Sequence, residues 1–161
     1  MSATSRRSSS SAGGLIRSWQ RRPPGAAGIA AAAGEEIAGR ISWQREDLRS
    51  WAPESGRFDL VTAHFMYLPP AELGDLHRRL ADAVRPGGTL LLVGHHPDDL
   101  HANAGRQGPA ELLWSAPELA ALLDPARWEI VVATAVARPA TDTDGHPAHV
   151  QDTVLRALRR G

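Results

Sequence analysis

The sequence predicts an α/β domain: a doubly wound, mainly parallel sheet that ends in an antiparallel strand pair. Three observations predict it. Strand and helix signals alternate from residue 35 onward. Two short apolar runs, Phe58 to Phe65 and Thr89 to Val93, flank one amphipathic stretch, as a parallel crossover requires. The C-terminal end then carries two apolar runs separated only by the turn residues Asp142-Thr143-Asp144-Gly145.

The elements follow in order. Ile41-Ser42-Trp43-Gln44 is a short strand that runs into Glu46-Asp47-Leu48. After a loop with Pro53 and Gly56 comes the strand Phe58 to Phe65. Pro69-Pro70 opens a helix whose apolar positions Leu73, Leu76, Leu80 and Val84 recur at three- and four-residue spacing until Pro86-Gly87 stops it. In RPGGTLLLVGHHP the glycines permit positive φ, the apolar run is short enough for a strand buried on both faces, and His95-His96 fall just past its carboxyl end. Ser115-Ala116-Pro117-Glu118 carries a serine N-cap, proline in the first turn and glutamate at N3, and starts a helix with Leu119, Leu122 and Leu123. Trp128 to Val136 and Val150 to Leu158 form the closing pair.

Composition limits the function classes. The 161 residues have 42% hydrophobic content and no formal net charge, which suits one domain with an ordinary core and gives no global bias toward nucleic acid. Without cysteine there is no disulfide, thiolate metal site or cysteine nucleophile. No apolar segment approaches the roughly 20 residues of a membrane span, and the chain is read as cytoplasmic. All 18 basic residues are arginine, which points to coding bias as readily as to function. Residues 1 to 34 carry five arginines, a serine run and no acid, with no sustained strand or helix period. They read as a disordered or unrelated segment ahead of a partial domain at 35 to 161, with a transit peptide or a nucleic-acid-binding arm as alternatives. Gly28 to Gly39 reads as the tail of an alanine-rich helix.

Asp47 after one strand, FDLVTAHFMYLPP, the spacing of Leu73 and Leu80, RPGGTLLLVGHHP and the terminal strand-turn-strand together resemble the second half of a class I (Rossmann-like) S-adenosylmethionine-dependent methyltransferase. The resemblance covers about residues 35 to 160, and the joint order of the segments is far more specific than any one of them. It implies S-adenosylmethionine as cofactor and a small-molecule methyl acceptor. By the same resemblance Glu46, Asp47 and Leu48 lie at the adenine, and Ala63, His64 and Phe65 lie beside the methionine part. His95 or His96 is then the catalytic base. Asp47 also has a plainer reading as a cap for the next segment.

The family's glycine loop and the acid ending its second strand are missing from the pattern. That loop belongs roughly 50 residues before Asp47, where only 46 residues stand and no apolar strand precedes a glycine pair. Glu35 and Glu36 are the only acids before residue 46. The chain therefore looks like a family member without its first half, an incomplete sheet with an uncovered edge at the Phe58 strand and no native neighbour for the Ile41 strand. Losing two charge-assisted hydrogen bonds of about 1.5–3 kcal/mol each to the ribose weakens cofactor binding by roughly two to four powers of ten.

Two further readings stand beside an impaired methyltransferase: a noncatalytic remnant, and a small interaction module that pairs through the exposed strand edge, a homodimer included. His95 and His96 also have plainer readings, as surface residues or as the start of a zinc site with His101. The zinc reading lacks an i, i+4 pair, and no metal is expected. Trp114 and Trp128 read as packing residues, Arg78, Arg79 and Arg85 as a solvated face, and Asp59 as a residue without chemistry.

Overall fold

A computed structural model of the chain describes residues 15–18, 39–100, 112–142 and 144–161. The expectations for the rest of residues 1–34, for the alanine-rich helix tail before Gly39 and for His101 lie outside the described residues. The chain divides into two units, Met1–Leu48 and Arg49–Gly161.

The first unit holds two strands, β1 (Leu15–Ser18) and β2 (Ile41–Gln44), paired in parallel with Leu15 opposite Ile41 and Ser18 opposite Gln44. The Ile41 strand, expected to lack a native neighbour, thus pairs with a strand that lies within residues 1 to 34. A four-residue strand is too short for hydrophobic periodicity to reveal, so LIRS left no legible signal among the serines and arginines.

The second unit is a four-stranded sheet built from β3 (Phe58–His64), β4 (Val84–His95), β5 (Trp128–Thr141) and β6 (Pro147–Arg159), in the order β3-β4-β6-β5. β3 and β4 are parallel and joined by α1 (Pro70–Ala83). β6 is antiparallel to both β4 and β5. The expected parallel crossover followed by an antiparallel hairpin is what forms, and the unit is α/β.

The amphipathic stripe explains α1. Leu73, Leu76, Leu80 and Ala81 are buried, with Leu76 fully so, and Pro70 stands at the first turn where its missing N–H costs nothing. Leu90 and Leu92 of β4 and Leu155 and Ala157 of β6 complete the core.

The helix does not stop at Pro86-Gly87 but runs directly into β4 at Val84, which pairs with Phe58. The ladder then slips: Phe58 faces Val84 and Leu60 faces Thr89, so two steps along β3 span five along β4. Arg85 to Gly88 fill the excursion. Gly87 takes φ 77°, and a Cβ on Gly88 would lie 2.7 Å from Val84 Cγ1 and 2.9 Å from the Arg85 carbonyl oxygen. Only glycine fits there.

The predicted start of α2 (Ala116–Ala121) is confirmed in detail. The Glu118 carboxylate accepts both the N–H and the hydroxyl of Ser115 at 2.7 Å. Those two bonds, the hydroxyl first, hold the Glu118 carboxyl below its ordinary range. The β5–β6 hairpin closes at Asp142, whose Oδ1 accepts the N–H groups of Asp144 and His146, with Gly145 at φ 86°. Trp128 is buried, as a packing residue should be.

Arg78 and Arg85 are exposed, as a solvated face should be, and Arg79 is half-buried. Arg79 donates to the carbonyls of Trp51 and Arg49 and so pins the loop before β3. Arg85 reaches Asp59 at 2.8 Å, which gives Asp59 a partner at the amino end of the sheet. Arg78 pairs with Asp75 one turn earlier on α1.

Candidate functional site

Because β3 and β4 are parallel, both deliver their carboxyl ends to one edge of the sheet. His64 stands opposite Val93, and the N–H of Phe65 donates to the Val93 carbonyl at 2.8 Å. Phe65 then takes φ 52°, the one positive value at a non-glycine residue among the described residues. A side chain in that region costs about 1–2 kcal/mol. The strain turns the chain off the strand and lays the Phe65 ring against His95, with centroids 4.7 Å apart at 43°. Tyr67 follows at 6.0 Å from the same imidazole. Phe65 and Tyr67 remain 38% and 45% exposed, so this ledge faces outward.

Beneath the ledge lies a small open recess of about 30 Å³. Ala63 and Phe65 from the end of β3, Leu92 to His95 from β4, Leu73 and His77 from α1, and Trp114 line it. Thr153 on β6 belongs to the lining too, and its hydroxyl donates to the Trp114 carbonyl at 2.7 Å, which fastens the segment before α2.

The predicted residues fall in different places. His95 sits on the recess, opposite Asp152 in the β4–β6 ladder, with Nδ1 3.4 Å from Asp152 Oδ1. Asp152 is held in turn by Arg138, whose Nε donates to Oδ2 at 2.6 Å. A carboxylate facing Nδ1 favours the tautomer in which Nε2 is the basic nitrogen. His96 turns the other way: its Nδ1 accepts the Asp98 N–H at 3.3 Å, and its carbonyl caps a short 3-10 turn, Pro97–Leu100. Asp99 of that turn is buried and accepts the Gln151 N–H at 2.8 Å.

His64 is exposed, and its Nε2 lies 2.6 Å from the hydroxyl of Thr62, away from the recess that its neighbours Ala63 and Phe65 line. Glu46, Asp47 and Leu48 belong to the first unit, where Asp47 is exposed and Leu48 is buried.

Sequence reasoning missed two site residues. His77 is 6% exposed, and burial pushes its pKa down to about 4, so it is neutral at physiological pH. Its Nδ1 has no hydrogen-bond partner, while its ring meets Trp114 edge-on at 6.2 Å. A signal existed: residue 77 lies four positions after Leu73 and three before Leu80, on the apolar stripe. Asp152 is the second, and nothing local in the sequence marks it.

Asp142, Asp144 and His146 also gather, at the tip of the β5–β6 hairpin, where they form the turn.

No protein-family model matches the chain, and no curated protein is similar to it in sequence. Solved structures are similar in fold. TehB from Haemophilus influenzae superposes with a TM-score of 0.66 at 16% identity, over 92% of this chain and 50% of its own. The N-methyltransferase NodS from Bradyrhizobium japonicum WM9 gives 0.60 at 14% identity, over 92% and 74%. An S-adenosylmethionine-dependent methyltransferase from Mesorhizobium loti gives 0.57 at 16% identity, over 92% and 81%. The chain spans between 50% and 63% of the length of three of the structures it matches, TehB among them.

The described residues of the second unit do not complete a cofactor site. They supply backbone, an aromatic ledge and a histidine–aspartate pair, but no glycine loop. A recess of about 30 Å³ has room for one or two waters, not for a nucleoside. The strand order, the parallel crossover and the reversed last strand are nevertheless those of a known architecture: the chain has the fold of the class I S-adenosylmethionine-dependent methyltransferases.

Proposed function

We propose that this chain is a methyltransferase in class, acting on a small molecule, and that by itself it holds S-adenosylmethionine weakly. One observation carries the reading. The carboxyl ends of two parallel strands bring Ala63, Phe65 and His95 to a single recess on the side of an α/β sheet where ligands bind, in a fold shared with methyltransferases. The NodS structure is named an N-methyltransferase, and another similar structure, 19% identical with a TM-score of 0.53, is a 1,6-didemethyltoxoflavin-N1-methyltransferase from Burkholderia thailandensis with its acceptor and S-adenosylhomocysteine bound. The second name supports a small-molecule acceptor here.

When bound, the cofactor supplies a sulfonium methyl group. The chain's own contribution is position and proton management. Phe65 and Tyr67 offer a flat apolar surface, and His95, oriented by Asp152, offers a basic nitrogen at the edge of that surface. His96, engaged with Asp98, is the poorer candidate for the base. Weak cofactor binding follows from the absence of any acid in residues 1 to 34 and of a glycine loop behind an apolar strand.

Calorimetric titration of the whole chain with S-adenosylmethionine tests both halves. The expected dissociation constant lies between about 10 μM, near −7 kcal/mol, and about 1 mM, near −4 kcal/mol. No heat at millimolar cofactor would end the methyltransferase reading. A constant tighter than 10 μM would end the claim of impairment.

A further inference from the structure

We propose that the outer edge of β5 is a dimerisation surface, at which a second copy of this chain pairs antiparallel about a twofold axis at Thr134. The inference is independent of the methyltransferase reading and concerns the sheet edge opposite β3.

β5 ends the order β3-β4-β6-β5, so among the described residues no strand pairs with its outer side. An unpaired edge offers its backbone to another strand, and proteins guard such edges with charges, proline or bulges. Here the guards stand only at the ends, a register break at Val131 and the pair Arg138-Pro139. Between them Val132 to Ala137 carry no charge and no proline. Apolar side chains stand open along this edge, with Val131 41% and Val136 46% exposed.

The segment's own sequence selects the occupant. Val132-Ala133-Thr134-Ala135-Val136 reads the same in both directions. Against an antiparallel copy centred on Thr134, Val132 meets the partner's Val136, Ala133 meets the partner's Ala135, and Thr134 meets the partner's Thr134. A threonine pair between matched β-branched neighbours suits antiparallel strands.

The backbone agrees with this register. The Asp142 N–H donates to the His146 carbonyl, which makes theirs a hydrogen-bonded pair that continues the β5–β6 ladder. Alternation then turns the backbone groups of Thr134 toward β6 and those of Ala133, Ala135 and Ala137 outward. It turns Pro139 outward as well, where its missing N–H costs the β6 ladder nothing. In the centred register Ala133 and the partner's Ala135 exchange both backbone bonds, and the twofold axis repeats the exchange. Thr134 faces its copy in a non-hydrogen-bonded pair, where side chains lie closest.

Charge sets the direction. Glu129 and Arg138 stand near opposite ends of β5 on one sheet face, opposite Leu158 and Val150, with side chains 57% and 45% exposed. Antiparallel pairing brings the acid end of each copy to the arginine end of the other, whereas parallel pairing would oppose like charges. A twofold interface of this kind closes on itself, so assembly stops at the dimer.

Sedimentation equilibrium of the full chain should show monomer at about 5 μM and mostly dimer at about 500 μM. Over that range amide exchange at Ala133 and Ala135 should slow about threefold or more. Thr134→Lys and Thr134→Glu each set like charges face to face and should stay monomeric, while an equimolar mixture of the two should dimerise again. The chain has no cysteine, so Thr134→Cys introduces a single thiol. Mild oxidation should cross-link that variant into a covalent dimer, and should leave Thr62→Cys on the β3 edge uncross-linked. If the variants do not fold, the concentration dependence of exchange in the wild-type chain decides alone.

A wild type that stays monomeric at the highest concentration would overturn the proposal. So would a Thr134→Lys dimer as tight as the wild type, a mixture no better than its components, or cross-linking at Thr62→Cys in place of Thr134→Cys. Association that leaves exchange at Ala133 and Ala135 unchanged would overturn it too.

Discussion

His77 occupies a core position of α1 with a side chain that water would protonate near pH 6.5, and burial resolves the conflict by keeping it neutral down to about pH 4. The consequence for stability has a definite sign. Above pH 6.5 the imidazole is neutral in folded and unfolded chains alike, and it has no effect. Between 6.5 and 4 the unfolded chain takes up a proton that the folded chain refuses, so stability falls as pH falls. Between pH 7.5 and pH 5 the loss from this residue is about 2 kcal/mol. Urea denaturation at those two pH values should show it in the wild type and not in His77→Phe; an equal pH dependence in both proteins would mean that His77 is already solvated. The residue was legible, since its spacing from Leu73 and Leu80 places it on the buried stripe, yet attention to leucines alone passes over it. Phe65 was legible only in part. That it follows a strand is plain from the apolar run, whereas its φ of 52° comes from the turn toward His95, a contact 30 residues away that no local pattern encodes.

Among the elements, those with a dedicated local signal were readable and those held by partners were not. Ser115 and Glu118 mark the start of α2 by chemistry that works within four residues. Ser115→Ala should destabilise the fold by about 1 kcal/mol, measured by denaturation, because one of the two bonds to Glu118 disappears. A change below a few tenths would show that the remaining backbone bond suffices. β4 shows the opposite. Pro86-Gly87-Gly88 reads as a helix stop and a turn, but the strand already begins at Val84, because Phe58 pairs there and the excursion of Arg85 to Gly88 is absorbed within the ladder. The close approach at Gly88 makes a sharp expectation: Gly88→Ala should cost about 1–3 kcal/mol, since its Cβ meets Val84 and the Arg85 carbonyl inside normal contact distance. Loss of thermal stability is the readout, and an unchanged midpoint would mean that β4 relaxes freely there. β5 and β6 run longer than the expected strands, to Thr141 and from Pro147, because their ends pair with each other beyond the core and need no apolar alternation to do so.

For the whole molecule, the order β3-β4-β6-β5 follows from two connections: a helix that returns β4 parallel to β3, and a short turn that sends β6 back antiparallel between β4 and β5. Both were legible in the alternation of apolar runs with one amphipathic stripe and one turn, and with them the position of His95 at a strand's carboxyl end. The partners that give the site its character were not. Asp152 lies 57 residues from His95 and Thr153 lies 39 from Trp114, and only the folded ladder brings either pair together. The proposed function requires that the carboxyl ends of β3 and β4 form the ligand edge. It is tested most directly by recording the backbone amide spectrum of the full chain while S-adenosylmethionine is added. The largest shifts should fall at Ala63 to Phe65 and at Gly94 and His95. Shifts confined to the opposite ends of the same strands, at Gly56 to Asp59 and Arg85 to Gly88, would contradict it.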